Sequence, residues 1–183
     1  NYLTILITTL CIFFNACHNS NTAPQLQLAD SLIDKRADSA LCILEKLSIE
    51  EISNKSAKAM YALLLTEALD KNFKSHRNDS LILIAVDYYK DNSNNKLKTK
   101  AYYYLGRVYQ DNKEYIKATE AYLTALKTAS PNQAPILQIY NNLALCYESQ
   151  EFYLPAIKTY KESYATAEKM QDKYGILHAT RGL

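Results

Sequence analysis

The strongest constraint on the fold of this chain is a segment that occurs twice, 38 residues apart. Tyrosine, leucine and small residues recur at equal positions in the two copies. The matched pairs are Tyr102 and Tyr140, Leu105 and Leu143, Gly106 and Ala144, Tyr109 and Tyr147, Tyr115 and Tyr153, Ala118 and Ala156, Tyr122 and Tyr160, and Ala125 and Ser163. Self-similarity at a fixed interval of a few tens of residues is typical of stacked supersecondary units. The sequence therefore predicts a repeat protein.

Each copy has the periodicity of two helices. The first stripe has helical spacing and consists of Tyr102, Leu105, Gly106 and Tyr109. After the polar residues 111–113, a second stripe consists of Tyr115, Ala118, Tyr122, Ala125 and Leu126. Because only a short turn separates the stripes, we expect the two helices to be antiparallel. A glycine inside a helix costs about 1 kcal/mol relative to alanine, so Gly106 predicts a close approach of the two helices.

The order and spacing of these residues resemble the tetratricopeptide repeat. The family's pattern is an aromatic residue, a Leu-Gly pair, a tyrosine, an alanine, a second aromatic residue and a final alanine. In the first copy these positions hold Tyr102, Leu105-Gly106, Tyr109, Ala118, Tyr122 and Ala125. In the second copy they hold Tyr140, Leu143-Ala144, Tyr147, Ala156, Tyr160 and Ser163. Two features depart from the family. The interval is 38 residues rather than ~34, and Lys113 and Glu151 stand where the family has a glycine in the turn. The resemblance implies an all-α, right-handed α-solenoid of antiparallel helix pairs.

The same architecture accounts for residues 25–183, as about four helix pairs plus the start of a further helix. Clear repeats cover 101–130 and 139–170. A degenerate first pair should bury Leu28, Leu32, Ile33, Ala40, Leu41, Leu44 and Leu47. The next pair should bury Tyr61, Leu64, Leu65, Ala68, Leu81, Ile84, Ala85 and Tyr88. Residues 172–183 begin another first helix, so we expect the natural chain to continue beyond Leu183.

Residues 1–16 predict a signal peptide of the lipoprotein type. Tyr2–Phe14 is uncharged and apolar, long enough for the core of a signal peptide but shorter than the ~18–20 residues of a spanning helix. Ala16 precedes Cys17, which resembles a bacterial lipoprotein cleavage site. Cys17 would then carry the lipid, and residues 17–24 would form a tether to the cell envelope, facing the periplasm or the surface. An ordinary cleaved signal and an uncleaved anchor are the alternatives.

The composition favours a folded helical domain. The chain is 48% hydrophobic and 22% charged, with 3 glycines and 4 prolines, which is far from the composition of disordered proteins. It has 16 tyrosines and no tryptophan, as expected if phenol rings fill the large core positions. The net charge of +2 gives no strong field for nucleic acid, so we predict no nucleic-acid binding by this segment.

No motif indicates catalysis. The histidines His18, His76 and His178 lack neighbours at the spacing of a metal site, and the three glycines are isolated, which excludes a phosphate-binding loop. Cys42 and Cys146 lie on apolar stripes and are predicted to be small core residues rather than a disulfide. We therefore predict that the chain is not an enzyme and uses no cofactor or metal.

The candidate binding surface is the groove that the first helices of stacked pairs form. Its side chains in the two clear repeats are Lys100, Tyr103, Arg107, Gln110, Gln138, Asn141, Leu145 and Glu148. In the family, such positions hold a peptide backbone with asparagine and bind carboxylates with lysine or arginine, which Lys100, Arg107 and Asn141 would allow. The alternative is that these side chains are only solvated.

These observations predict a non-catalytic scaffold that binds a protein or peptide and is lipid-anchored in a bacterial cell envelope. The alternative is the periplasmic sensory region of a signalling protein or transcriptional regulator. In that case the membrane and output domains would lie beyond residue 183.

Overall fold

The computed structural model describes residues 22–76, 78–130 and 135–183, which form nine α-helices and no β-strand. The helices are α1 (Thr22–Leu32), α2 (Ala37–Leu44), α3 (Lys55–Lys71), α4 (Ser80–Tyr89), α5 (Asn95–Asp111), α6 (Tyr115–Thr128), α7 (Ile136–Ser149), α8 (Tyr153–Met170) and α9 (Lys173–Arg181). A 3₁₀ turn, Ile49–Glu51, lies between α2 and α3.

The predicted signal peptide, the lipidation site Cys17 and residues 18–21 lie outside the described residues. Residues 22–24, predicted as the end of the tether, belong to α1.

The described helices pack as four consecutive pairs followed by a single helix. Within each pair, α1 packs on α2, α3 on α4, α5 on α6 and α7 on α8, and α9 packs on α8. The first helices α1, α3, α5, α7 and α9 also contact one another in a row. This arrangement confirms the prediction of an all-α solenoid with four helix pairs and the start of a further helix.

Polar side chains cap the beginning of three of the first helices. Asn54 precedes α3, Asn94 precedes α5 and Asp172 precedes α9, and each accepts hydrogen bonds from backbone N–H groups of the first turn. Such caps satisfy donors that have no partner inside the helix. They fix where these three helices start, and so where their side chains lie in the row.

The core of the central pairs follows the repeated pattern. Tyr122 is fully buried between α5 and α6, and its equivalent Tyr160 is buried on α8. A Cβ atom added to Gly106 would lie 2.4 Å from Cε1 of Tyr122, closer than real Cβ contacts allow. The predicted close approach at this glycine is therefore confirmed. Tyr109 is half-buried, and its hydroxyl donates to Asp79.

The turns after four helices contain a residue in the left-handed region, and none of them is glycine. These residues are Phe73 (φ 56°), Lys113 (φ 61°), Glu151 (φ 61°) and Gln171 (φ 54°). At the end of α5, the N–H of Lys113 donates to Gln110 (3.0 Å) and the N–H of Glu114 donates to Tyr109 (2.8 Å). This is the Schellman arrangement that commonly ends a helix with glycine. The two departures from the family's glycine thus keep the expected backbone geometry.

Two of the predicted buried stripes were wrong in part. On α1, Leu26 and Ala29 are buried, whereas Leu28 is 51% exposed. On α4 the buried residues are Ile82, Ala85, Val86 and Tyr89, while Ile84 is 36% exposed and Tyr88 is half-buried. The residues at the start of α4 are apolar on every side of the helix. Its sequence therefore did not specify which face packs inward.

The prediction for the cysteines was half right. Cys146 on α7 is buried, but Cys42 on α2 is exposed. The buried stripe of α2 consists of Ala40, Leu41 and Leu44. Successive residues of a helix lie about 100° apart, so Cys42, next to Leu41, is turned away from the core.

Candidate binding cleft on the first helices

A cleft of about 690 Å³ lies where α1, α3, α5 and α7 come together. Its charged lining residues are Asp30, Asp34, Glu67, Asp70, Lys71, Lys96 and Lys100. Ile33, Tyr103 and Pro135 are among the residues that complete the walls. Its volume lies within the roughly 300–1,000 Å³ range of ligand pockets.

Glu67 lies at the floor of the cleft, and its side chain is only 2% exposed. Its carboxylate is 2.5 Å from Nζ of Lys100 on α5 and 3.2 Å from Nζ of Lys71 on the same helix. Lys71 Nζ also lies 2.5 Å from Asp34, which follows α1. A buried carboxylate is tolerated only when it is paired. These ion pairs therefore link α1, α3 and α5, the first helices of three successive pairs, through the buried carboxylate of Glu67.

Tyr104, on α5, is buried close to Glu67. Burial, together with the charge of Glu67, raises the pKa of Tyr104, so the phenol stays neutral.

A second ion pair joins α3 and α5 beside the cleft. Nε of Arg107 lies 2.8 Å from a carboxylate oxygen of Asp70, and both side chains are largely buried. Nη2 of Arg107 lies 3.9 Å from Oδ1 of Asp111. Both cations predicted to bind a ligand carboxylate, Lys100 and Arg107, are therefore already paired with acidic groups of the protein.

The far wall of the cleft joins α5 to α7. The side-chain amide of Asn142 donates to the Tyr103 hydroxyl (3.3 Å). Burial raises the pKa of Tyr103 to about 12, with a further contribution from Asp70. The Tyr103 ring also lies against Tyr122, with ring centroids 6.0 Å apart.

The structure brings three of the eight predicted groove residues to the cleft: Lys100, Tyr103 and Gln138. Arg107 lies beside it in the ion pair with Asp70. The other four residues are Gln110, Asn141, Leu145 and Glu148, and none of them lines the cleft.

Gln110 accepts a hydrogen bond from the Tyr122 hydroxyl (2.8 Å). Burial, and after it the charge of the equivalent residue Glu148, raises the pKa of Tyr160 to about 12. Asn141 accepts from Ser163 of α8 (3.0 Å), and Leu145 is 43% exposed. Two of these four side chains, Gln110 and Asn141, thus form hydrogen bonds between the two helices of a pair. The partner-binding role of all eight residues stays a prediction.

The sequence analysis missed the acidic part of the cleft. Glu67 and Asp70 interrupt the apolar stretch of α3, and a charge in such a stretch is the signal that could have indicated a buried ion pair. Asp30 and Asp34 gave no such signal, because charges at the end of a surface helix are ordinary.

A smaller cavity of about 300 Å³ lies next to His76, between α3 and α4. His76 is buried; its Nδ1 is 2.8 Å from Asp111 and its Nε2 is 3.2 Å from the carbonyl oxygen of Thr66. Both neighbours are hydrogen-bond acceptors, so the ring holds the loop after α3 against α5.

Among the described residues, no three His, Cys, Asp or Glu side chains are grouped so that they could hold a metal ion. None of the helices within 22–76, 78–130 and 135–183 is long and apolar enough to cross a bilayer.

Comparisons with known proteins bear on both the family and the fold. Residues 98–169 match a family model described as tetratricopeptide repeat. A solved structure titled "Crystal structure of MamA protein" matches with a TM-score of 0.60 and 21% sequence identity, over 84% of this chain and 76% of that chain. At this identity the match shows a shared fold. No curated protein matches the chain.

Proposed function

Residues 98–169 belong to the tetratricopeptide-repeat family, and on that premise we propose that this chain is a non-catalytic scaffold that holds a protein or peptide in the cleft of its first helices. The cleft itself carries this proposal. It runs across four helix pairs and has a volume of about 690 Å³. Stacked helix pairs offer extended surfaces of this kind to peptides and partner helices.

The chemistry of the cleft supports binding rather than catalysis. Glu67, Lys100, Asp70 and Arg107 are held in ion pairs between helices, so their charges stabilise the packing of the repeats. A catalytic site needs a nucleophile or an acid–base pair poised for a substrate. The ion pairing of these groups supports the scaffold proposal, because a charge held by a partner within the protein is not poised in this way.

We further propose that the chain is anchored in a bacterial cell envelope through a lipid on Cys17. The apolar run of residues 2–14 and the Ala16-Cys17 pair support this proposal. Mass spectrometry of the mature protein should find an N-terminal Cys17 that carries acyl chains. A Cys17→Ser variant should leave the membrane fraction. A mature terminus at any other residue would contradict the anchor.

A photo-crosslinking experiment tests the scaffold function. A photoreactive amino acid would replace Gln138, which is exposed and lines the cleft, in the cells that produce the protein. The matched control places it at Lys158, which is exposed on the second helix α8. We expect crosslinks from position 138 to concentrate on one partner protein that position 158 does not capture. Equal capture from both positions would contradict a cleft-specific partner.

A further inference from the structure

Several of the most exposed apolar side chains lie on one edge of the solenoid, where the turns inside the helix pairs come together. We call this surface the turn edge, and it consists of residues 72–76, 111–116 and 149–154. Its exposed apolar residues are Phe73 (99% exposed), Ile116 (68%), Phe152 (54%), Tyr153 (62%) and Leu154 (81%). Single exposed apolar side chains are ordinary, but a group of them marks an interaction site.

Hydrogen bonds join the three turns to one another. Nε2 of Gln150, directly after α7, donates to Oγ1 of Thr119 (3.0 Å) and to the carbonyl oxygen of Tyr115 (3.4 Å), both in α6. Nδ1 of His76, in the loop after α3, lies 2.8 Å from a carboxylate oxygen of Asp111 at the end of α5. The turns that carry the exposed apolar side chains are therefore neighbours on a continuous edge.

Two opposite charges occupy equivalent places on this edge. Lys113 follows α5 and Glu151 follows α7, 38 residues later, and both have φ 61°. Both side chains are exposed, and neither forms an ion pair within the part of the chain that the structure describes. The turn edge thus presents one uncompensated cation and one uncompensated anion on adjacent turns, beside its apolar side chains.

From this pattern we infer that the turn edge binds a second copy of this chain about a two-fold axis, with Lys113 of each copy against the partner's Glu151. In a two-fold contact, position i of one copy meets position j of the other and j meets i. The two charges then form two equivalent ion pairs, and the contact also covers the apolar side chains beside them. An anionic bilayer would attract Lys113 but repel Glu151, so the opposite signs favour a second copy over a lipid surface.

The inference goes beyond the proposed function and does not depend on it. Neither the two charged residues nor the five apolar residues of the turn edge line the cleft of the first helices. Loss of self-association and loss of partner binding in the cleft would therefore be separate results.

Sedimentation equilibrium of the full chain tests the inference. We expect the parent to form dimers with a dissociation constant in the micromolar range. Lys113→Glu and Glu151→Lys each place two pairs of like charges in the contact, so each should weaken self-association about tenfold or more. An equimolar mixture of these two variants restores both ion pairs and should associate as tightly as the parent.

Two further variants make the test specific to this edge. Leu154→Ser removes an exposed apolar side chain of the edge and should also weaken the dimer. The matched control is Lys127→Glu, which changes an exposed lysine in the last turn of α6, at the far end of that helix from the turn edge. It should associate as the parent does. Circular dichroism checks that every variant is folded.

Three results would overturn the inference. The first is a parent that remains monomeric at about 100 μM. The second is self-association that both charge variants leave unchanged, because the contact would then lie elsewhere on the chain. The third is a mixture of Lys113→Glu and Glu151→Lys that associates no better than either variant alone, which would contradict the two-fold pairing of these charges.

Discussion

Gly106 determines how closely α5 and α6 approach. An alanine there would place its Cβ 2.4 Å from the ring of Tyr122. That ring cannot easily move, because it is fully buried and its hydroxyl is bonded to Gln110. We expect Gly106→Ala to lower the free energy of unfolding by about 1–2 kcal/mol, since overpacking exceeds the roughly 1 kcal/mol that alanine gains in a helix. Urea unfolding followed by circular dichroism measures the change.

The second copy supplies the control for this prediction. Ala144 occupies the position equivalent to Gly106 and is fully buried, so Ala144→Gly removes both the helix preference of alanine and one buried methyl group. It should lose about 1–2 kcal/mol. A Gly106→Ala variant more stable than the parent would show that the Tyr122 ring is free to shift.

Lys100 is the residue on which the buried Glu67 most depends. Replacement by methionine keeps the length of the side chain but removes the ammonium group 2.5 Å from the carboxylate. Glu67 would keep only Lys71, which Asp34 shares. We expect Lys100→Met to destabilise the protein by about 2–3 kcal/mol, somewhat less than the loss of a sole partner. Chemical unfolding at pH 7 gives the value.

A double variant separates the charge from the packing. With Glu67→Gln added to Lys100→Met, no buried charge lacks its partner, and we expect most of the lost stability to return. If the double variant is no more stable than Lys100→Met, the lost stability does not come from an unpaired charge on Glu67.

At the level of elements, the turn between α5 and α6 stores conformational strain. Lys113 has φ 61° and is exposed, and a side chain in the left-handed region costs about 1–2 kcal/mol. Glycine avoids that cost but gains entropy in the unfolded chain. We expect Lys113→Gly to raise the stability by about 0.5–1 kcal/mol. Lys113→Ala, which retains a Cβ, should give no gain; equal stabilities of the two variants would contradict this explanation.

The sequence predicted the central elements better than the first ones. In α5 to α8, bulky tyrosines alternate with small residues such as Ala118 and Ala156, so one face of each helix is specified. In α1 and α4, apolar residues lie on more than one face, and Leu28 and Ile84 were assigned inward although both are exposed. Stripe periodicity fails where a helix has more apolar residues than its neighbours can cover.

The cleft was predictable only in its repeated part. Lys100, Tyr103 and Gln138 were found because the repeated pattern placed them on the side of the first helices that faces away from the second helices. The acidic residues belong to α1 and α3, whose repeats are degenerate. Their approach to α5 depends on how successive pairs are offset, and that offset arises from packing between pairs rather than from a pattern within one pair.

At the scale of the whole molecule, buried phenol groups on α5, α6 and α8 predict unfolding at alkaline pH. Burial raises the pKa of Tyr103 and Tyr160 to about 12 and also raises the pKa of Tyr104 and Tyr122. The unfolded chain releases these protons near pH 10, so above that pH the folded state binds more protons. The stability that these groups contribute is complete below pH 10 and is lost as the pH rises through 12. We expect a loss of about 1.4 kcal/mol per pH unit for each buried tyrosine.

Urea unfolding at pH 8, 10 and 11 measures this loss, and two variants assign it. Tyr122→Phe removes one buried titrating group and should make the decline with pH shallower. Tyr174, which is 80% exposed, gives the matched control: Tyr174→Phe should decline as steeply as the parent. Lysine deprotonation weakens ion pairs equally in all three proteins, so the difference in slope isolates the phenol. An equal slope for Tyr122→Phe and the parent would mean that the Tyr122 hydroxyl ionises as readily in the folded state as in the unfolded one.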